Sequence, residues 1–148
     1  MKDIVVILDN IRSTFNVGSV FRTSDGAGVK KIYLGGITPG GDHVKVKKTA
    51  LGAENYVDWE HIKDVKDIIF KLKEEGYQII SVEQTPNSKN YKETEISDKA
   101  AFIFGNEISG VSPELIELSD LVLELPMRGK KNSLNVSTTA GIILYNYA

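Results

Sequence analysis

The chain has 148 residues, a formal net charge of −2, 41% hydrophobic residues and no cysteine, which suits one domain, 1–148, with a single core that buries about two-thirds of its unfolded surface. Without cysteine there can be no disulfide, thiolate metal site or cysteine nucleophile. With no apolar run of about 18 residues and no leader-like start, neither a membrane span nor a signal peptide is expected, and a reducing cytoplasm is the expected compartment.

The overall charge hides a strong regional asymmetry. Residues 1–50 hold 8 Lys/Arg against 4 Asp/Glu, residues 51–126 hold 7 against 16, and residues 127–148 hold 3 against none. If the fold brings the two basic ends together, an acidic protein acquires a basic face built from Arg12, Arg22, Lys30, Lys31, Lys45, Lys47, Lys48, Arg128, Lys130 and Lys131. The same counts also fit a solvated scatter of cations.

In chain order, the apolar β-branched run at 4–8 predicts a strand covered on both faces. A polar turn follows, and Asn16 can cap a helix that carries Val17, Val20 and Phe21 on one face and ends at Gly26-Ala27-Gly28. A second strand is predicted over 31–34. The intervening loop lacks both the dinucleotide fingerprint and a Walker sequence, so neither cofactor class is indicated. Instead Asn16, Gly18 and Arg22 fall on one helix, with Gly18 permitting a close approach of backbone or ligand.

The Gly-rich stretch 35–43 predicts a mobile loop, and the lysines after it could grip a phosphate backbone. His43 and His61 lack metal-ligand spacing and read as structural or surface residues. Val65, Ile68, Ile69 and Leu72 at i, i+3, i+4 and i+7 predict a helix over 64–76. A third strand follows at 77–82, then a polar loop at 83–99. A fourth strand, 100–104, runs into Gly105-Asn106-Glu107-Ile108-Ser109-Gly110, and Ser112 before Pro113 starts a further helix. A fifth strand, 121–125, is stopped by Pro126, and Asn135 or Ser133 can cap an apolar helix to the C-terminus.

Alternating strands and helices predict an α/β fold with a mostly parallel sheet and helices on both faces. The C-terminal strand ends of such a sheet share one edge, so the polar clusters Asn16/Arg22, Asn106/Glu107 and Ser133/Asn135 can converge there.

The stretches Asn16-Val-Gly-Ser-Val-Phe-Arg22, Phe104-Gly-Asn-Glu-Ile-Ser-Gly110 and Leu125-Pro-Met-Arg-Gly-Lys-Lys-Asn-Ser-Leu-Asn-Val-Ser137 resemble the three motifs of the SpoU family, the S-adenosylmethionine-dependent RNA ribose 2′-O-methyltransferases of the SPOUT superfamily. The resemblance spans nearly the whole chain, in the right order. It implies a C-terminal trefoil knot, against the general rule that chains are unknotted, and a homodimer acting on tRNA or rRNA; no metal is expected, since the sequence shows no cluster of hard oxygen or His/Cys ligands.

Carried onto this chain, the resemblance implies an S-adenosyl-L-methionine pocket lined by Val82, Glu83, Gly105, Asn106, Glu107, Gly110, Leu125, Pro126, Met127, Gly129, Ser133 and Leu134. It assigns Asn16, Arg22, Ser133 and Asn135 to the methyl-transfer step. A guanidinium stays protonated at working pH, so Arg22 is expected to hold a phosphate and stabilise the developing alkoxide rather than act as base. Glu107 is expected to hold the loop or the donor. A non-catalytic RNA-binding homologue and a flavodoxin-like ligand domain are the competing readings.

Overall fold

The computed structural model describes residues 1–148. The elements run β1 (Asp3–Asp9), α1 (Thr14–Ala27), β2 (Lys31–Gly35), α2 (Val44–Ala50), β3 (Asp58–Ile62), α3 (Val65–Glu74), β4 (Gln78–Val82), β5 (Lys89–Asn90), β6 (Lys99–Gly105), α4 (Pro113–Leu118), β7 (Leu121–Glu124) and α5 (Val136–Tyr147). They build a seven-stranded sheet in the order β3-β2-β1-β6-β4-β7-β5, in which every strand pairing is parallel.

The run at 4–8 is apolar throughout because β1 is interior and covered twice. Ile4, Val6 and Leu8 join the cluster that also holds Val17, Phe21, Val46, Ile143 and Leu144. Val5 and Ile7 point the other way, into a cluster with Ile68, Ile69, Leu72 and Leu115. Helices α1, α2 and α5 therefore cover one face and α3 and α4 the other, as a strand with period-2 side chains between two apolar layers requires.

Three local features differ from the sequence reading. Ser13, not Asn16, caps α1, accepting from the Asn16 N–H at 3.1 Å; both are capping residue types, and Asn16 lies inside the first turn. The sheet has two further strands, β3 and β5, at its edges. Their polar sequences conceal them, because an edge strand has one neighbour and exposed side chains: Asp58, Glu60 and His61 all face solvent. The lysines 45, 47 and 48 lie on α2, whose N-cap is the His43 ring. Ahead of α2, the Gly-rich loop is anchored rather than free. Thr38 is buried, donates to Gly35 O (2.7 Å) and accepts from Ile11 N (3.0 Å), while the His61 ring contacts Gly36 O (2.8 Å).

Gly18 serves packing. A Cβ there would strike Thr49 and the Val46 carbonyl of α2, so its absence lets α1 and α2 pack backbone to backbone. At the C-terminus, Ala140, Ile143, Leu144 and Tyr147 form the buried stripe of α5. Tyr147 Oη lies 2.7 Å from Tyr91 O and 2.8 Å from Thr94 O, tying this last helix to the loop that follows β5. No helix is long and apolar enough to cross a membrane.

Candidate active site

The sheet changes direction of chain order at β1 and β6, and open parallel sheets place ligands beyond the carboxyl ends of strands at such a point. A cleft of about 690 Å³ lies beside that point, beyond the carboxyl ends of β6, β4 and β7, lined by 22 residues from the segments after those strands and from the start of α5. This is the size of a small-molecule site, roughly 300–1,000 Å³.

Of the residues expected to hold a donor, Val82, Glu83, Gly105, Asn106, Glu107, Gly110, Leu125, Met127, Ser133 and Leu134 line the cleft, as does Asn135. Pro126 and Gly129 do not; the loop between β7 and α5 turns both outward, and they are exposed. Sequence reasoning missed Gln84, Thr85, Glu124, Asn132 and Thr139, which line it too. For Gln84, Glu124 and Asn132 the only signal is position next to a residue already chosen, and Thr85 and Thr139 lack even that.

The walls are held by short polar ties. Glu83 Oε1 accepts from Val111 N at 3.0 Å, joining the end of β4 to the loop after β6. That loop doubles back so tightly that Gly110 adopts φ +73° and a side chain on it would collide with Glu83. Asn106 accepts from Ile108 N and Ser109 N and donates to Asn10 O at 2.7 Å, so it fixes the turn and links it to the end of β1.

Glu107 takes three donors from the start of α1: Arg12 N (3.0 Å), Ser13 N (2.9 Å) and Asn16 Nδ2 (3.2 Å). Partial burial pushes its carboxyl up, but the hydrogen bonds outweigh that and hold it below the ordinary carboxylate value. Glu107 is thus an anion with its lone pairs committed, the arrangement of an anchor rather than of a base.

Asn16, buried in α1, faces Asn135, the N-cap of α5: Asn135 Nδ2 donates to Asn16 Oδ1 at 3.3 Å, while Asn135 Oδ1 accepts from Ser137 N at 2.9 Å. The expected convergence of the three motifs is therefore present for Glu107, Asn16 and Asn135. Ser133 sits on the cleft wall two residues away. Arg22 does not join them. It is exposed, makes no side-chain hydrogen bond or ion pair, and follows Asn16 by six residues, which turns it about 120° around the helix.

Charge divides sharply across the site. The cleft lining carries Glu83, Glu107 and Glu124 and no Lys or Arg. The five ion pairs use Lys2, Lys30, Lys31, Lys66 and Lys73. Arg12, Arg22, Lys45, Lys47, Lys48, Arg128, Lys130 and Lys131 are all exposed and all outside ion pairs. An acidic, partly apolar cleft fits S-adenosylmethionine, with its flat adenine, its ammonium and its sulfonium charge, while the free cations outside it fit an RNA backbone. No group of three or more His, Asp or Glu is placed to hold a metal ion.

Comparison with known proteins agrees with this geometry. The model of the SpoU rRNA Methylase family matches residues 3–145. A tRNA (guanosine(18)-2′-O)-methyltransferase from Aquifex aeolicus is 33% identical over 150 residues, covering 97% of this chain and 68% of the relative. The 23S rRNA (guanosine(2553)-2′-O)-methyltransferase RlmP of Bacillus subtilis is 31% identical, covering 96% of this chain and 56% of the relative. Among solved structures, the A. aeolicus TrmH/SpoU tRNA modifying enzyme superposes with TM-score 0.88 at 32% identity over 98% of this chain and 73% of that one. The AdoMet-bound rRNA methyltransferase from Sinorhizobium meliloti superposes with TM-score 0.90 at 25% identity, over 98% of this chain and 56% of that one. The chain thus spans only part of the length of these relatives. With nearly every residue matched and the three motifs meeting at one sheet edge, it belongs to the SpoU rRNA methylase family.

Proposed function

We propose that the chain transfers the methyl group of S-adenosyl-L-methionine to a ribose 2′-hydroxyl of tRNA or rRNA. The observation that carries this reading is the joining of Glu107, Asn16 and Asn135 at the rim of an acidic 690 Å³ cleft whose lining holds no Lys or Arg. The residues that would hold the donor are Val82, Glu83, Gly105 to Glu107, Gly110, Leu125, Met127 and Leu134. When bound, it supplies an electrophilic methyl carbon.

The protein's own contribution is positional. A ribose hydroxyl is a weak nucleophile until its proton leaves, and in-line approach from a fixed distance removes much of the barrier. Asn16 is immobilised on both sides of its amide, and Asn135 and Ser133 present small polar groups beside it. Together they hold the hydroxyl. Arg22 supplies a fixed positive charge for a neighbouring phosphate and for the developing alkoxide.

Because Arg22 stands outside the cleft of its own chain, we assign it to a site completed in a homodimer. The C-terminal trefoil knot also belongs to this reading. It draws support from α5, which packs on α1 and β6 and is hydrogen-bonded through Tyr147 to the loop after β5. The cytoplasm, where tRNA and rRNA are modified, is the proposed compartment.

Calorimetric titration with S-adenosylmethionine and its demethylated product tests the donor site; micromolar binding that Leu134→Arg abolishes is expected. Labelled methyl transfer to total tRNA and rRNA, followed by nucleoside analysis, tests the reaction. A folded protein that binds neither donor nor product overturns the proposal.

A further inference from the structure

Phe15 stands next to Asn16 and is 63% exposed. A single exposed apolar side chain is ordinary, but this one has a particular setting. Ile108 and Leu134, the exposed neighbours of Glu107 and Asn135, both line the donor cleft, whereas Phe15 does not. Its backbone carbonyl instead accepts a hydrogen bond from Thr49 of α2 at 3.0 Å. Lys45, Lys48 and Thr49 share one face of α2 at i, i+3 and i+4, so two exposed lysines outside any ion pair lie on the face of α2 that is tied to Phe15.

Resting on the proposed methyl transfer, we infer that Phe15 is a stacking platform for a nucleobase of the RNA, at or beside the target nucleotide. Lys45 and Lys48 supply the cations that hold the backbone beside it. A base hangs directly from the ribose it accompanies, so a ring adjacent to the residue that positions the hydroxyl is within reach of that base or the next. Aromatic stacking accepts any base, and surrounding cations accept the phosphates. The charge favours RNA over a second copy of the chain as occupant, because a two-fold contact centred here would bring Arg12, Lys45 and Lys48 against their own duplicates.

The test uses the full chain with unmodified bulk tRNA and rRNA as probes, with S-adenosylhomocysteine present for binding and S-adenosylmethionine for turnover. In Phe15→Trp the new indole is expected to lose fluorescence on adding RNA, but not on adding an abasic ribose-phosphate oligomer of equal charge. Phe15→Ala is expected to raise the KM for RNA about tenfold or more, with the loss falling on KM rather than kcat, and Phe15→Tyr is expected to restore it. Lys45→Gln and Lys48→Gln should each reduce the slope of log affinity against log salt by about one. RNA that binds the Phe15→Trp chain without changing its indole fluorescence overturns the inference alone. So does a Phe15→Ala chain that becomes monomeric with its RNA affinity intact, since the ring then belongs to a protein interface. If the wild-type chain binds neither RNA, the inference falls together with the proposed function.

Discussion

Asn135 donates to Asn16 across 119 residues of sequence, and the direction of that hydrogen bond is fixed at both ends of a chain of groups. Glu107 is an anion and can only accept, so Asn16 must turn its amino group to it and its oxygen to Asn135. At the other end Ser137 N can only donate, so Asn135 must turn its oxygen there and its amino group to Asn16. Each amide is thereby held in one orientation.

Asn135→Asp tests that polarity. The carboxylate still caps α5, so thermal stability should change by less than about 1 kcal/mol. Two acceptors now face each other at Asn16, however, and if Asn16 turns, its oxygen meets Glu107. Methyl transfer should fall by about two orders of magnitude or more, whereas Asn135→Ala should also lose about 1 kcal/mol of stability. A fully active Asn135→Asp chain would refute the polarity argument.

Glu107→Gln replaces an acceptor of three hydrogen bonds with a group that can accept through one oxygen only. The folded-state pKa lies below that of an unfolded glutamate, so this carboxylate stabilises the fold above the unfolded value and the contribution disappears as pH falls through the folded value. Thermal scans should show the variant less stable than wild type at pH 7, by on the order of 1 kcal/mol, with the gap shrinking as the solution is acidified below the ordinary glutamate range.

Alkaline conditions act through two tyrosines. Burial raises Tyr77, helped by its 2.8 Å hydrogen bond to Asp3, and burial likewise raises Tyr147, helped by Tyr91. A raised folded pKa gives stability that is complete below the unfolded value near 10 and is lost as pH climbs through the folded one. Stability measured across the alkaline range should therefore decline above about pH 10, and less steeply in Tyr77→Phe and in Tyr147→Phe. Tyr147→Phe should also speed amide exchange in residues 91–94 by releasing α5 from that loop.

Gly18→Ala drives a methyl group into Thr49 and the Val46 carbonyl. Overpacking of this kind costs about 1–3 kcal/mol, and the shift of α2 displaces Lys45 and Lys48. Denaturant titration should show the stability loss, and RNA affinity should fall while donor affinity holds.

The sequence revealed the interior of the sheet best. Residues 4–8 and 100–104 must be apolar on every side because β1 and β6 are covered twice, so their pattern admits little else. The edges were hidden: 58–62 carries Asp, Glu and His outward, and nothing in its alternation separates it from a loop. Capping chemistry gave the right residue types but not the right positions, since Ser13 and Asn16 are equally good candidates until packing buries one of them. The pairing of Asn16 with Asn135 depends on which strands are neighbours, and no local pattern carries strand order; the family motifs pointed to it instead. Motif membership also does not say which residues line the cleft: Pro126 and Gly129 stay outside it while Leu125 and Met127 enter, because adjacency along a loop does not determine which way the loop turns.

The cleft takes part of its wall from Glu124, Leu125, Met127 and 132–136, after every other strand of the sheet has been laid down. A ribosome delivers those residues only once the rest of the sheet has been synthesised. Until they arrive, Asn16 lacks its partner Asn135, Tyr147 holds no loop, and the pocket lacks a side. A growing polypeptide at that stage already carries the residues of most of its hydrophobic interior, yet it has nowhere to lodge a methyl donor, so catalytic competence trails the birth of the sheet.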